Sequence, residues 1–192
     1  MPNGLDDFRK AIEDFRSTFL LAIGGTSIAP IVAHFAGIAP VWPNGVGIIT
    51  SVATLVVIIF AFQFSKNSSK KIVNRRMLLS LWSCIFCSIV YFGLFSFFVY
   101  EIPVTNQKTY LGCGWSERAK LIVSEFGASV DNSCPGQFHE ILASASYDPF
   151  AVWTVSSINA IALVILVFWI AFFASLSNIV ALFVVHQRMQ QK

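Results

Sequence analysis

Four cysteines and three histidines are the side chains with which this 192-residue chain could carry out redox, nucleophilic or metal chemistry. Cys84 and Cys87 stand at the C-x-x-C spacing of a dithiol pair. Reactive thiols need an electropositive, partly exposed setting that favours the thiolate. These two lie in a long apolar run and read instead as small packing residues. Cys113 and Cys134 sit 21 positions apart in a polar stretch. On the non-cytoplasmic side of a membrane they read as a disulfide, worth about 3 kcal/mol by loop closure. His139 has Glu140 and Asp148 nearby, but no Gly-rich nucleophile turn accompanies it, and the three histidines lack ligand spacing. Neither a metal nor a cofactor nor a catalytic centre is therefore expected, and the chain reads as a non-enzyme.

The elements that must position these residues follow from composition. Apolar residues make up 56% of the chain and charged residues only 12%, with a mean hydropathy of +0.70. A soluble domain is nearer a quarter charged, so the lipid bilayer is the expected surroundings and a large soluble catalytic domain is excluded. Stretches at about 17–39, 45–64, 77–100 and 156–185 contain no Asp, Glu, Lys or Arg. Each reaches the roughly 20 residues that a helix needs to cross about 30 Å of hydrocarbon. The alternating ten-residue strands of a closed barrel are absent. The fold expected is an all-α membrane protein with four transmembrane helices, an N-terminal cytoplasmic amphipathic helix at 1–16 and an external cap at 101–155 between the third and fourth spans. A basic loop at 65–76 and a tail at 186–192 complete it. Gly37-Ile38-Ala39 resembles a signal-peptide cleavage site, but the lead-in is acidic as well as basic and the apolar run is long for a signal core.

Ten of the thirteen Lys and Arg residues fall in the N-terminal segment, the loop between spans two and three, and the tail; Lys108, Arg118 and Lys120 fall on the other side. The positive-inside rule then places both termini and the basic loop in the cytoplasm. Leu5, Phe8, Ile12, Phe15 and Phe19 recur at helical steps, giving one apolar stripe beside a face of mixed charge. Such a face suits protein more than anionic lipid. Phe8, Ile12 and Phe15, with Arg75, Arg76 and Arg188, are the candidate docking residues for a cytoplasmic partner.

Within the spans, Gly25, Ala29, Ala33 and Gly37 repeat every fourth residue, the small-xxx-small pattern of close helix packing in lipid. Ser80, Cys84 and Cys87 on the third span, and Ser175 and Asn178 on the fourth, form matching small or polar stripes. Pro30 predicts a kink. His34 reads as an interhelical hydrogen bonder. An ion-coupled carrier wants intramembrane carboxylates or cations, and these spans have none. A neutral pore lined by Ser, Thr and Asn from several subunits stays open. In the external segment Ser116 is placed to cap a short helix through Phe126, and 138–145 could form another.

Gly112-Cys113-Gly114 and Asn132-Ser133-Cys134 in a large loop before the last span faintly resemble tetraspanins, whose double cysteine is missing here. The cysteine pair in the second external loop resembles that of quinone-coupled disulfide oxidoreductases, yet 39–45 lacks the entry cysteines that family uses. Length, span count, inside termini and the external loop together resemble the small four-span subunits of bacterial anti-phage systems, among them the Kiwa system. That resemblance implies a homo-oligomeric sensor or scaffold that senses envelope disturbance and recruits a soluble cytoplasmic partner acting on nucleic acid, with no direct nucleic-acid binding of its own. A membrane-depolarising pore and a quinone-coupled oxidoreductase are the alternatives.

Overall fold

The computed structural model describes residues 16–65, 68–103, 105–125, 134–135 and 139–190. The fold is mostly helical: α1 (Arg16–Phe35), α2 (Val46–Ser65), α3 (Lys70–Phe98), α4 (Glu117–Glu125), α5 (His139–Ser144), α6 (Pro149–Val152) and α7 (Val155–Gln190), with a hairpin of β1 (Val99–Glu101) and β2 (Lys108–Tyr110). Three helices, α2, α3 and α7, are long and apolar enough to cross a membrane. Their outward residues agree with that, since Ile48, Val52, Phe60, Leu79, Trp82, Phe86 and Val167 are exposed. A water-facing surface rarely presents contiguous apolar area on this scale. At about 1.5 Å per residue, α3 and α7 reach roughly 43 and 54 Å, more than the hydrocarbon thickness.

Two features add detail to the expected helical fold. Within a mostly helical chain, α3 gives way at Val99 to a short antiparallel hairpin pairing Val99 with Tyr110, Tyr100 with Thr109 and Glu101 with Lys108. Both strands are rich in β-branched and aromatic residues, and the connection holds Pro103 and Asn106, the latter at φ 53°. Part of the basic stretch at 65–76 is also helical. Helix α3 starts at Lys70, so Arg75 and Arg76 lie in its first two turns.

The chain divides into two compact units. One holds the described residues through Ala39, Pro43–Ile89 and those from Phe168 onward; the other holds Pro40–Trp42 and Val90–Val167. In the first unit α1 ends in a turn where the Ile38 N–H donates to the Ala33 carbonyl at 3.2 Å and the Gly37 N–H to the His34 carbonyl at 3.1 Å. This Schellman geometry needs a left-handed residue, and Gly37 supplies it at φ 73°. Gly45, at φ 78°, opens α2 by accepting from the Ile48 and Ile49 N–H groups. The two helices then lie so close that a Cβ on Gly47 would stand 3.2 Å from the Pro30 carbonyl oxygen and 3.4 Å from the Ile31 Cα.

In the second unit the cap is held to the start of α7. The Thr154 N–H donates to the Gly114 carbonyl at 2.8 Å, and the Ser116 N–H to the Val152 carbonyl at 2.9 Å. Trp115 stacks on Trp153, their centroids 6.3 Å apart. Ser116 caps α4, its Oγ accepting from the Ala119 N–H at 3.1 Å, and Asp148 caps α6 by accepting from the Phe150 N–H at 3.0 Å. Cys113 and Cys134 are disulfide-bonded, with Cα atoms 4.8 Å apart.

Candidate functional site

Polar side chains on apolar helices are costly in hydrocarbon unless they find partners, so their pairing marks what the first unit is built around. Thr50, fully buried on α2, donates to the Val46 carbonyl at 2.7 Å and accepts from the Trp169 indole N–H of α7 at 2.9 Å. Trp169 in turn packs edge-on against Phe173 at 4.6 Å. The Asn178 amide donates to Ser80 Oγ at 2.6 Å, and the Ser83 and Ser175 hydroxyls share a hydrogen bond at 3.0 Å. Two rungs thus tie α3 to α7, and a third ties α2 to α7.

The two α3–α7 rungs lie in a groove of about 690 Å³ lined by α2, α3 and α7. Val57, Phe60, Phe64, Leu79 and Leu182 form much of its apolar wall, with Ser80, Ser83, Ser175 and Asn178 as the polar strip. Arg76 and Ser65 line the same groove. Arg76 donates to the Phe64 carbonyl at 3.3 Å. Ser65 is 1% exposed, and its hydroxyl has no hydrogen-bond partner among the described residues. Just past this end Val73, Leu182 and Val185 form a small buried cluster flanked by Phe62, Met77 and Met189.

Of the residues singled out from the sequence, Ser80, Ser175 and Asn178 come together in this groove, and Cys113 meets Cys134. Cys84 and Cys87 are buried free thiols on α3. Ala33 is buried, Ala29 is half-buried, and Gly25 is exposed with open space where a side chain would project. Gly37 lies beyond the end of α1, in its terminating turn. Arg75 is exposed, Arg76 lines the groove, and Arg188 falls near the end of α7. Phe8, Ile12 and Phe15 lie outside the described residues. His34 is exposed on the last turn of α1.

Sequence reasoning missed Thr50, Trp169 and Gly47. Trp169 was the available signal, because a tryptophan amid aliphatic residues brings an N–H that must be satisfied in lipid. It also missed Tyr110, whose hydroxyl accepts from the Val41 N–H at 2.9 Å and the Trp42 N–H at 3.4 Å, pinning the turn between α1 and α2 to the hairpin. Burial pushes the Tyr110 phenol above its ordinary pKa, partly offset by these two backbone donors. In the second unit a smaller cavity of about 170 Å³ lies among Arg118, Ile141, Ser144, Asp148 and Val152. No group of His, Cys, Asp and Glu able to hold a metal ion occurs among the described residues. Comparison of the chain with protein-family models, curated proteins and solved structures yields no match.

Proposed function

We propose that the chain is a four-span protein of a bacterial inner membrane, with α1 as the additional span, both termini and the basic start of α3 in the cytoplasm, and the disulfide-clamped cap outside. In this reading it is a non-enzymatic, homo-oligomeric sensor or scaffold subunit of an anti-phage defence complex that recruits a soluble cytoplasmic effector. The observation that carries the reading is the continuity of α3 and α7. The first runs 29 residues and ends where the cap hairpin begins; the second leaves the cap at Val155 and runs 36 residues. Two unbroken helices joined by the Asn178–Ser80 and Ser83–Ser175 rungs are suited to carry a displacement of the cap to the end that bears Arg75, Arg76 and Arg188. The side-chain pairs Thr50–Trp169, Ser80–Asn178 and Ser83–Ser175 each join one span to another, which favours a scaffold over a carrier.

The test is purification in mild detergent, with mass photometry for stoichiometry and mass spectrometry for bound proteins. A homo-oligomer with a stoichiometric soluble partner is the expected result, together with loss of that partner when Phe8 and Phe15 are replaced by Asp. A homo-oligomer alone that depolarises cells would replace this reading with the pore. A monomer with bound quinone would replace it with the oxidoreductase.

A further inference from the structure

We propose that the groove between α2, α3 and α7 binds one anionic phospholipid, with its phosphate at Arg76 and Ser65 and an acyl chain along the apolar wall. The proposal rests on membrane placement of these three helices and is independent of the defence reading. The groove's volume of about 690 Å³ falls within the range of about 300–1,000 Å³ usual for small-molecule sites. Lipid alone would cover its apolar wall; the selection comes from charge.

Among the described residues, Arg76 is the one ionisable side chain lining the groove. Its guanidinium makes a single hydrogen bond, to the Phe64 carbonyl, and meets no carboxylate among the described residues. The planar fork has further N–H donors in the geometry that suits phosphate oxygens. Lys70, Lys71 and Arg75 share the first two turns of α3 and raise the local positive potential. Ser65 brings a second donor, buried and without a partner among the described residues, and such a group wants an acceptor. Ser80 lies four residues further along α3, about 6 Å by helical rise. There the Asn178–Ser80 pair retains an amide hydrogen and an amide oxygen for the glycerol ester region below a phosphate. A free phosphate would leave the apolar wall uncovered, and a zwitterionic lipid would bring its ammonium toward a cluster of cations.

Native mass spectrometry of the intact protein, released from detergent and titrated with dioleoylphosphatidylglycerol, dioleoylphosphatidylcholine or glycerol 3-phosphate, tests this. The expected result is one phosphatidylglycerol adduct that saturates at about tenfold lower concentration than phosphatidylcholine, a difference of about 1.4 kcal/mol. Glycerol 3-phosphate should give no adduct. Arg76→Gln should abolish the preference, whereas Arg75→Gln, which removes the same charge from the same helix outside the groove, should keep it. Ala174→Phe, which fills the wall, should weaken both lipids. If Arg76→Gln fails to fold, Arg76→Lys retains the charge without the fork and should show a reduced preference. Equal binding of the two lipids, equal loss in the Arg75 and Arg76 variants, unchanged binding in Ala174→Phe, or glycerol 3-phosphate binding as tightly as phosphatidylglycerol would each overturn the proposal.

Discussion

Adding one methyl group at Gly112 should destabilise the cap strongly. A Cβ there would stand 2.5 Å from the Trp153 Cβ, 2.6 Å from the Ser157 Oγ and 2.7 Å from the Trp153 Cγ. Carbon atoms at ordinary contact are about 3.5–4.0 Å apart, so roughly 1 Å must be found on two fronts. Trp153 cannot yield, since it is 1% exposed, stacked on Trp115 and tied through its main-chain N–H to the Pro149 carbonyl. Overpacking a tight site costs about 1–3 kcal/mol, and a clash against main-chain-proximal atoms belongs at the upper end. For a chain of this size about 3 kcal/mol lowers Tm by about 6–12 °C. Gly114→Ala is the internal control: its added Cβ comes closest to the Thr154 Oγ1, at 3.1 Å, with Ser157 Cβ and Oγ at an ordinary 3.8 and 3.9 Å, and should cost less than about 1 kcal/mol. The assay is thermal unfolding of the detergent-solubilised protein by intrinsic tryptophan fluorescence. A Gly112→Ala protein melting within 2 °C of the parent, or below which Gly114→Ala melts, would refute the packing described.

Thr50→Val should remove the acceptor of the Trp169 indole N–H; a double-mutant cycle with Trp169→Phe should give a coupling of about 0.6–1.7 kcal/mol, read from unfolding equilibria in detergent. Replacing both Cys113 and Cys134 by Ser should destabilise the cap by about 3 kcal/mol, measured as a lower Tm that no longer responds to reductant. Because burial raises the Tyr110 pKa in the folded protein above its unfolded value of about 10, the stability it contributes is present below that pH and is lost as pH rises through the folded value. The parent should therefore show a steeper fall in Tm above about pH 10 than Tyr110→Phe, and parallel curves would contradict the assignment.

The long elements were legible because apolar length is a one-dimensional signal: α2, α3 and α7 follow from runs without charge. The disulfide was legible for a similar reason, since two cysteines on the polar side of an inferred membrane have few other partners. Ser80, Ser175 and Asn178 stood out as polar residues in apolar runs, and stripes on two helices implied a shared face. The rest required three dimensions. Gly25 and Gly37 belong to one fourfold repeat, yet the first projects into open space and the second ends the helix; a periodicity cannot tell a packing glycine from a turn glycine. The close approach of α1 and α2 falls instead on Gly47, which belongs to no repeat. The hairpin of Val99–Tyr110 was hidden by its neighbour, because Val99 and Tyr100 extend the apolar run of α3 without a break in hydropathy. Arg76 looked like one cation among five in a topology signal, and only its position against Phe64 and Ser65 separates it from Arg75.

The double duty of Thr50 has a consequence for biogenesis. Its hydroxyl bonds to Val46, four residues back on its own helix, so α2 can leave the aqueous phase with that group already satisfied. The Trp169 partner is 119 residues further along the chain and arrives only when α7 is made. In the four-span reading proposed above, the early pair α1–α2, closed by the Gly37 and Gly45 turns, waits in the bilayer as an intact helical hairpin, and the late helix docks onto an oxygen that was never left exposed to lipid without a bond.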